Sequence, residues 1–259
     1  MSERVINEAA AVGFGRGADD YVAARPSYPS AVFDLLADEL GLGPETDVLD
    51  LAAGTGKLTE DLVARGARVV AVEPVAAMRE RLVALLPDID ARDGTAEALP
   101  LDDASVDLVT VGQAFHWFDA PTALAEIRRV LRPGGGLAMI WNVRDETVDW
   151  VRELGEIKDE VDGGPPYRHH RDADWEGLVD ADGGYDAYTE DWFPNWQDAS
   201  VEIVVGRTAS TSWISALPDD RREAVLDDVR ALLARHPATR GRDRFWFPHD
   251  TVVQWCRRR

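Results

Sequence analysis

Cysteine is nearly absent from this chain of 259 residues, and lysine is scarce. The one cysteine, Cys256, excludes an internal disulfide, and its place beside Trp255 reads as packing rather than thiol chemistry. Lys57 and Lys158 are the only lysines, so arginine carries nearly all the positive charge. Acids outnumber bases 48 to 28, for a formal net charge of -20. That sign argues against non-specific binding to nucleic-acid phosphates and against an anionic membrane surface. No uninterrupted apolar run approaches the roughly 18 residues of a membrane span. The opening MSERVINEAA lacks the apolar core of a signal peptide. A soluble, cytoplasmic protein is expected. Metal ligands are thin: His169 and His170 are adjacent, their side chains diverge, and no nearby pair has zinc-site spacing. No metal is expected, and no G-x-S-x-G nucleophile elbow occurs. The arginine-rich, acid-rich composition fits a GC-rich genome or a surface adapted to high salt. Both readings concern the host and leave the reaction open.

What is present is an ordinary globular composition, 45% hydrophobic, on a chain long enough for one α/β domain with an insertion. Residues 1–20 are polar, with FGRG at Phe14 to Gly17, and read as a mobile lead-in. Ala31 to Leu40 has helical periodicity and ends at GLGP. From Thr46 to Asn142 strands and helices alternate: strands at 47–51, 68–72, 106–111 and 136–142, helices at 57–65, 75–86 and 121–131. Such alternation predicts a parallel sheet with helices on both faces. Pro133 stops a helix, and Gly134 to Gly136 turn the chain into the next strand. From Val143 to Ala199 the alternation stops. Helices near 150–161 and 174–180, with the loop Asp162 to Asp172 between them, predict an insertion covering a pocket. Asp198–Arg207 then reads as a strand, Pro218–Arg235 as a helix and Arg244–Trp255 as a last strand.

The most informative stretch is VLDLAAGTGKLT, Val48 to Thr59, followed by VVAVEP, Val69 to Pro74. A buried strand ends at Asp50. Gly54 and Gly56 turn the backbone beside a ligand, and a helix follows. The second apolar run ends at Glu73. This is a nucleotide-binding βαβ unit with a carboxylate where a ribose would lie. The dinucleotide fingerprint wants a third glycine three residues after the second, and Thr59 stands there.

The loop resembles instead the D-x-G-x-G-x-G loop of class I S-adenosylmethionine-dependent methyltransferases, with Ala52 replacing the first glycine. A negative φ at Ala52 is expected, which would make the departure mild. DGTAEALPL, Asp93 to Leu101, resembles the family's G-D-A-x-x-L-P segment. Together with GQAFHWFD, Gly112 to Asp119, the segment YVAARPSYP, Tyr21 to Pro29, is similar to the trans-aconitate-methyltransferase-like branch of small-molecule enzymes.

The resemblance implies a doubly wound, seven-stranded, mostly parallel α/β sheet, a Rossmann-like methyltransferase fold. An N-terminal lid (1–30), a cofactor-binding core (31–142), a helical cap over the pocket (143–199) and a C-terminal part of the core (200–259) are expected. It also implies S-adenosyl-L-methionine as cofactor. Asp50 would accept from its amino group and Gly54 and Gly56 would flank its methionine part. A side chain at Gly56 would project into the ligand or strain the turn. Glu73, followed by Pro74, would hold the ribose, and Met78 would pack on adenine. Thr95 stands where the family often has an aspartate, so the adenine contact falls to Ala96 or Glu97. Gln113 would reach the cofactor, with Tyr21 and Arg25 closing over it. Tyr28, Trp117, Trp141, Asn142 and Arg144 would face the substrate, a small molecule; the branch resemblance favours a carboxylic acid, which Arg144 could pair with. His116 would face the transferring methyl and serve as base for a hydroxyl or amine acceptor. Trp150, Trp192 and Trp196 read as a pocket wall or as core. Two other readings remain open: an NAD-type oxidoreductase, disfavoured by the missing glycine and the lack of a Tyr-x-x-x-Lys pair, and a cyclase or binding module that keeps the cofactor without methyl transfer. The chain is expected to act as a monomer or homodimer, with no nucleic-acid partner.

Overall fold

The computed structural model describes residues 26–161 and 174–259. Tyr21, Arg25, the FGRG segment, the loop Asp162 to Asp172 and its two histidines lie outside the described residues.

Among the described residues, seven strands form one sheet in the order β3-β2-β1-β4-β5-β7-β6. They are β1 (Asp47–Leu51), β2 (Arg68–Val72), β3 (Asp90–Arg92), β4 (Val106–Gly112), β5 (Leu131–Arg144), β6 (Thr189–Ala199) and β7 (Phe245–Arg257). β1 pairs in parallel with β2 and β4, β2 with β3, and β4 with β5. β7 reverses this direction. Asn142 bonds Thr251, Trp141 bonds Gln254, and Gly134 bonds Arg258, so numbers fall along β5 as they rise along β7. The chain leaves β3 at one edge and returns to β4 beside β1. That reversal opens the crevice at the carboxyl ends of β1 and β4 where α/β sheets bind ligands.

The chain divides into two compact units. Among the described residues, one comprises 28–142, 174–193 and 251–259, and the other 26–27, 143–161 and 194–250. The larger unit holds α1 (Ser30–Leu40), α2 (Lys57–Ala64), α3 (Ala76–Leu85), α4 (Ala120–Val130) and α6 (Trp175–Asp182). Val32, Phe33, Leu36 and Leu40 of α1 pack with Leu58 and Leu62 of α2 on Val48, Leu108 and Ile140 of the sheet. Gly41 ends α1 in the left-handed region, φ 74, returning its N–H to Ala37 O. At α6 the Asp174 carboxylate caps the first turn by accepting the Gly177 N–H. Arg128 Nε then donates to Asp182 at 2.9 Å and the Tyr185 hydroxyl to Leu124 O at 2.7 Å, which locks α6 onto α4.

The smaller unit has its own core. Trp150 and Leu154 of α5 (Asp149–Asp159) pack with Val204 of α7 (Val201–Ala209), Val229 and Leu232 of α9 (Asp219–Arg235) and Phe247. A four-residue α8 (Ser212–Ser215) separates α7 from α9. His249 is fully buried there. Desolvation, reinforced by the Arg207 cation, pushes its pKa down to about 2. The imidazole is therefore neutral, with Nδ1 donating to Phe247 O at 2.8 Å and Nε2 facing Arg207.

Three expectations need correction. The stretch expected as a strand from Asp198 is the end of β6 followed by α7. Its Val-Glu-Ile-Val-Val run has strand propensity, but the Ser200 side chain caps Ile203 N–H, and Val204, Val205 and Thr208 turn inward at helical spacing. β6 itself falls where loops were expected. Of the two readings left open for Trp150 the structure shows the core one: its ring packs edge-on against Phe245 at 5.7 Å in the smaller core. Trp192 and Trp196 stand exposed on alternate outward positions of β6. Among the described residues no helix is long and apolar enough to cross a membrane.

Candidate cofactor and acceptor site

β1 delivers Asp50 to the end of the sheet fully buried. Its carboxylate accepts from the Thr59 hydroxyl of α2 at 2.6 Å and from the Thr110 hydroxyl of β4 at 3.3 Å. Burial raises its pKa from 3.8 to about 7, against the lowering effect of the two hydroxyls, and Glu73 adds a smaller upward push.

Beyond Asp50 the backbone bends. Ala52 has φ 56, so the expected negative φ is not found. The methyl group sits in the left-handed region that favours glycine. The bend is tied to the sheet because Ala53 N–H donates to Val72 O at 3.2 Å. Gly54 (φ 60) and Gly56 (φ 90) are also left-handed, yet their surroundings differ. A Cβ on Gly54 would point into open space. One on Gly56 would meet Leu82 Cγ at 3.1 Å rather than a ligand. Gly54 is thus the glycine of the open cradle, and Gly56 allows α2 to close on α3.

Glu73 faces this cradle from the end of β2 and is almost fully buried. Its Oε2 accepts the Gly54 N–H at 2.9 Å and its Oε1 the Val75 N–H at 2.8 Å. Pro74 has no N–H, so the second donor is the next residue. Both oxygens are oriented by backbone, and each keeps a lone pair for another donor. Desolvation raises the Glu73 pKa, and the two N–H groups oppose that rise.

The remaining expected cofactor residues fall into two groups. Met78 is buried on α3. Ala96 is buried in a loop closed by the Thr95–Ala98 bridge. Glu97 has a structural partner, since its carboxylate accepts the Asp119 N–H at 2.9 Å where α4 begins. Gly94 is bare because a Cβ would strike Pro100 at 2.7 Å.

On the β4 side, Gln113 repeats the left-handed bend with φ 61 and donates its N–H to Ile140 O at 2.9 Å. Gly112 is overlaid by Tyr28, whose hydroxyl would lie 2.8 Å from an added Cβ. A 3₁₀ turn, Phe115–Trp117, follows. It sets His116 against Trp117 at 4.8 Å and against Trp141 at 5.6 Å between ring centroids. Trp175 joins them, stacked on Trp141 at 6.2 Å with ring planes 14° apart. Sequence reasoning missed Trp175, although the Asp174 cap beside it was a legible helix start. Asn142 accepts from the Thr251 hydroxyl at 2.6 Å. Arg144 belongs to the smaller unit and ion-pairs with Glu146 at 3.2 Å.

Comparisons with known proteins agree with this geometry. A methyltransferase-domain family model matches residues 49–139. An uncharacterised methyltransferase of Mycobacterium bovis is 42% identical over 241 residues, 93% of each chain. One of Schizosaccharomyces pombe is 35% identical over 236 residues, covering 90% of this chain and 92% of the other. The solved structure of a protein assigned as a type II methyltransferase in Anaeromyxobacter dehalogenans superposes with a TM-score of 0.65. It is 25% identical and covers 91% of this chain and 97% of its own. The chain belongs to the class I S-adenosylmethionine-dependent methyltransferase family.

Proposed function

We propose that this enzyme uses S-adenosyl-L-methionine, bound at the carboxyl ends of β1, β2 and β4, to methylate a nucleophilic atom of a small molecule. The observation that carries the reading is the Glu73 carboxylate, fixed by Gly54 and Val75 N–H groups beside an open glycine cradle. A ribose offers two adjacent hydroxyl donors, and the two oriented oxygens offer matching acceptors. A dinucleotide-type loop would require its third glycine at the Thr59 position, and Thr59 is instead committed to Asp50.

The cofactor supplies an electrophilic methyl on a positively charged sulfur. The protein's own part is alignment, which can contribute up to about 7–11 kcal/mol when reactants are held at near-attack distance. Glu73 holds the sugar, Asp50 receives the amino group, and Gly54 lets the chain pass close. His116, in the turn after Gln113, takes the proton of a hydroxyl or amine acceptor. A carboxylic acid acceptor draws less support, because the Arg144 cation expected to bind it pairs with Glu146.

Calorimetric titration with S-adenosylhomocysteine, NAD and NADP tests this assignment. Micromolar binding of the thioether nucleoside with none of either dinucleotide is expected. Tight nicotinamide binding alone would replace this function with an oxidoreductase. Cofactor binding without methyl transfer to any phenol, amine or acid in a broad panel would leave a non-transferring relative.

A further inference from the structure

The aromatic residues after β4 are arranged in two layers. Trp141 and Trp175 form the rear layer, both buried, with rings nearly parallel at 6.2 Å. His116 and Trp117 form the front layer, both half-buried, with His116 lying on Trp141 at 5.6 Å. The rear layer is anchored at both ends. Trp141 Nε1 donates to Gln254 Oε1 at 2.9 Å, and Gln254 Nε2 donates to Glu190 at 2.7 Å. Trp175 opens α6 and takes the edge of Phe115 at 5.3 Å. The front rings therefore stand on a rigid support, which removes much of the ordering cost of binding against them.

We propose that the acceptor carries a planar aromatic ring that lies on the His116–Trp117 surface, with Trp141, Trp175 and Gln254 as positioning residues behind it. The inference rests on the methyltransferase reading above and names the substrate class for that site. None of these four rings carries a fixed charge, so a carboxylate laid against them would lose hydration without gaining a counter-ion. An aromatic face gains offset or edge contacts instead. The imidazole in the same layer offers its nitrogen to a ring hydroxyl. In the transfer, the bond between sulfur and methyl carbon breaks with its electron pair staying on sulfur. The methyl carbon bonds the phenolic oxygen, and the phenolic proton passes to His116 and on to water. The products are an aryl methyl ether, neutral S-adenosylhomocysteine and a proton.

The test uses the full chain and three probes: 2-naphthol, its saturated counterpart 2-decalol, and octanoate. S-adenosylhomocysteine affinity is measured first. Its failure to bind would overturn the cofactor assignment, a result separate from the one sought here. With that ligand saturating, 2-naphthol is expected to bind at least tenfold more tightly than 2-decalol or octanoate. Trp117→Ala and Trp175→Phe should each weaken 2-naphthol at least fivefold while S-adenosylhomocysteine stays within twofold. Gln254→Leu should weaken it about threefold, and the paired exchange Gln254→Glu with Glu190→Gln, which keeps an acceptor for the Trp141 indole and a donor between the two side chains, should restore it. Equal affinity for the aromatic and saturated alcohols, tighter binding of octanoate, or indifference to both tryptophan substitutions would each overturn the proposal.

Discussion

Ala52 and Gln113 share one backbone conformation, φ 56 and φ 61, each at the first position beyond its strand. Their strands, β1 and β4, are hydrogen-bonded neighbours. Neither residue is glycine, and a side chain in the left-handed region costs roughly 1–2 kcal/mol. Strain of this kind persists where surrounding structure over-determines it, and it concentrates at binding sites. Here each bend is pinned by its own N–H or its neighbour's to the adjacent strand. Ala52→Gly should relieve the strain and raise stability by about 1 kcal/mol, less the extra freedom glycine gives the unfolded chain. Urea unfolding checks this. A lower midpoint than wild type would mean that the bend is not strained.

Glu73 is the sharpest test of cofactor binding. Glu73→Ala should weaken S-adenosylhomocysteine by about 1.5–3 kcal/mol, the range for hydrogen bonds to a charged group. It also leaves the Gly54 and Val75 N–H groups without their acceptor, so Glu73→Gln, which keeps a carbonyl for one of them, should lose less. Calorimetry on both variants decides, and an unchanged dissociation constant in Glu73→Ala removes the residue from the site.

With Asp50 in the proposed role, cofactor binding is expected to depend on pH. Its pKa is raised from 3.8 to about 7 by burial, so the folded protein holds this proton where the unfolded chain has released it. Stability from this group is full below about pH 4 and declines as pH rises through about 7. Asp50→Asn should therefore gain on wild type in thermal melts at pH 8 relative to pH 4. The cationic cofactor favours the ionised carboxylate. Its affinity should rise between pH 5 and 7, by up to about tenfold per unit, with one proton released. Titrations in two buffers of different ionisation enthalpy would count that proton. Identical heats in both buffers would show that Asp50 does not change its protonation on binding.

His116→Ala should slow turnover more than it weakens the cofactor. A loss of about 100-fold or more in kcat on an aromatic hydroxyl, with S-adenosylhomocysteine affinity held, matches general-base catalysis. Equal turnover would leave His116 as a packing ring against Trp141.

The geometry of the candidate cofactor half was legible because its residues are local in sequence. Asp50, Gly54 and Glu73 sit within one βαβ unit, and apolar strands buried on both faces announce themselves as runs. The Ala52 conformation was not legible, since nothing in the residue type reports a φ that the sheet imposes. The strand β6 was hidden by its own composition: Trp192, Pro194 and Trp196 occupy its outward positions, where polar residues would have shown the alternation. Proline is tolerated there because β6 is the sheet edge. Trp175 and Gln254 meet Trp141 only through tertiary packing, so no spacing rule joins them.

The clamp on Gly54 and Val75 draws on a short contiguous stretch of chain, whereas Trp141, Trp175 and Gln254 come from three distant ones. Inheritance can act on these separately. Substitutions among the three aromatic-layer positions need not disturb the Glu73 clamp, so the two can vary independently along a lineage.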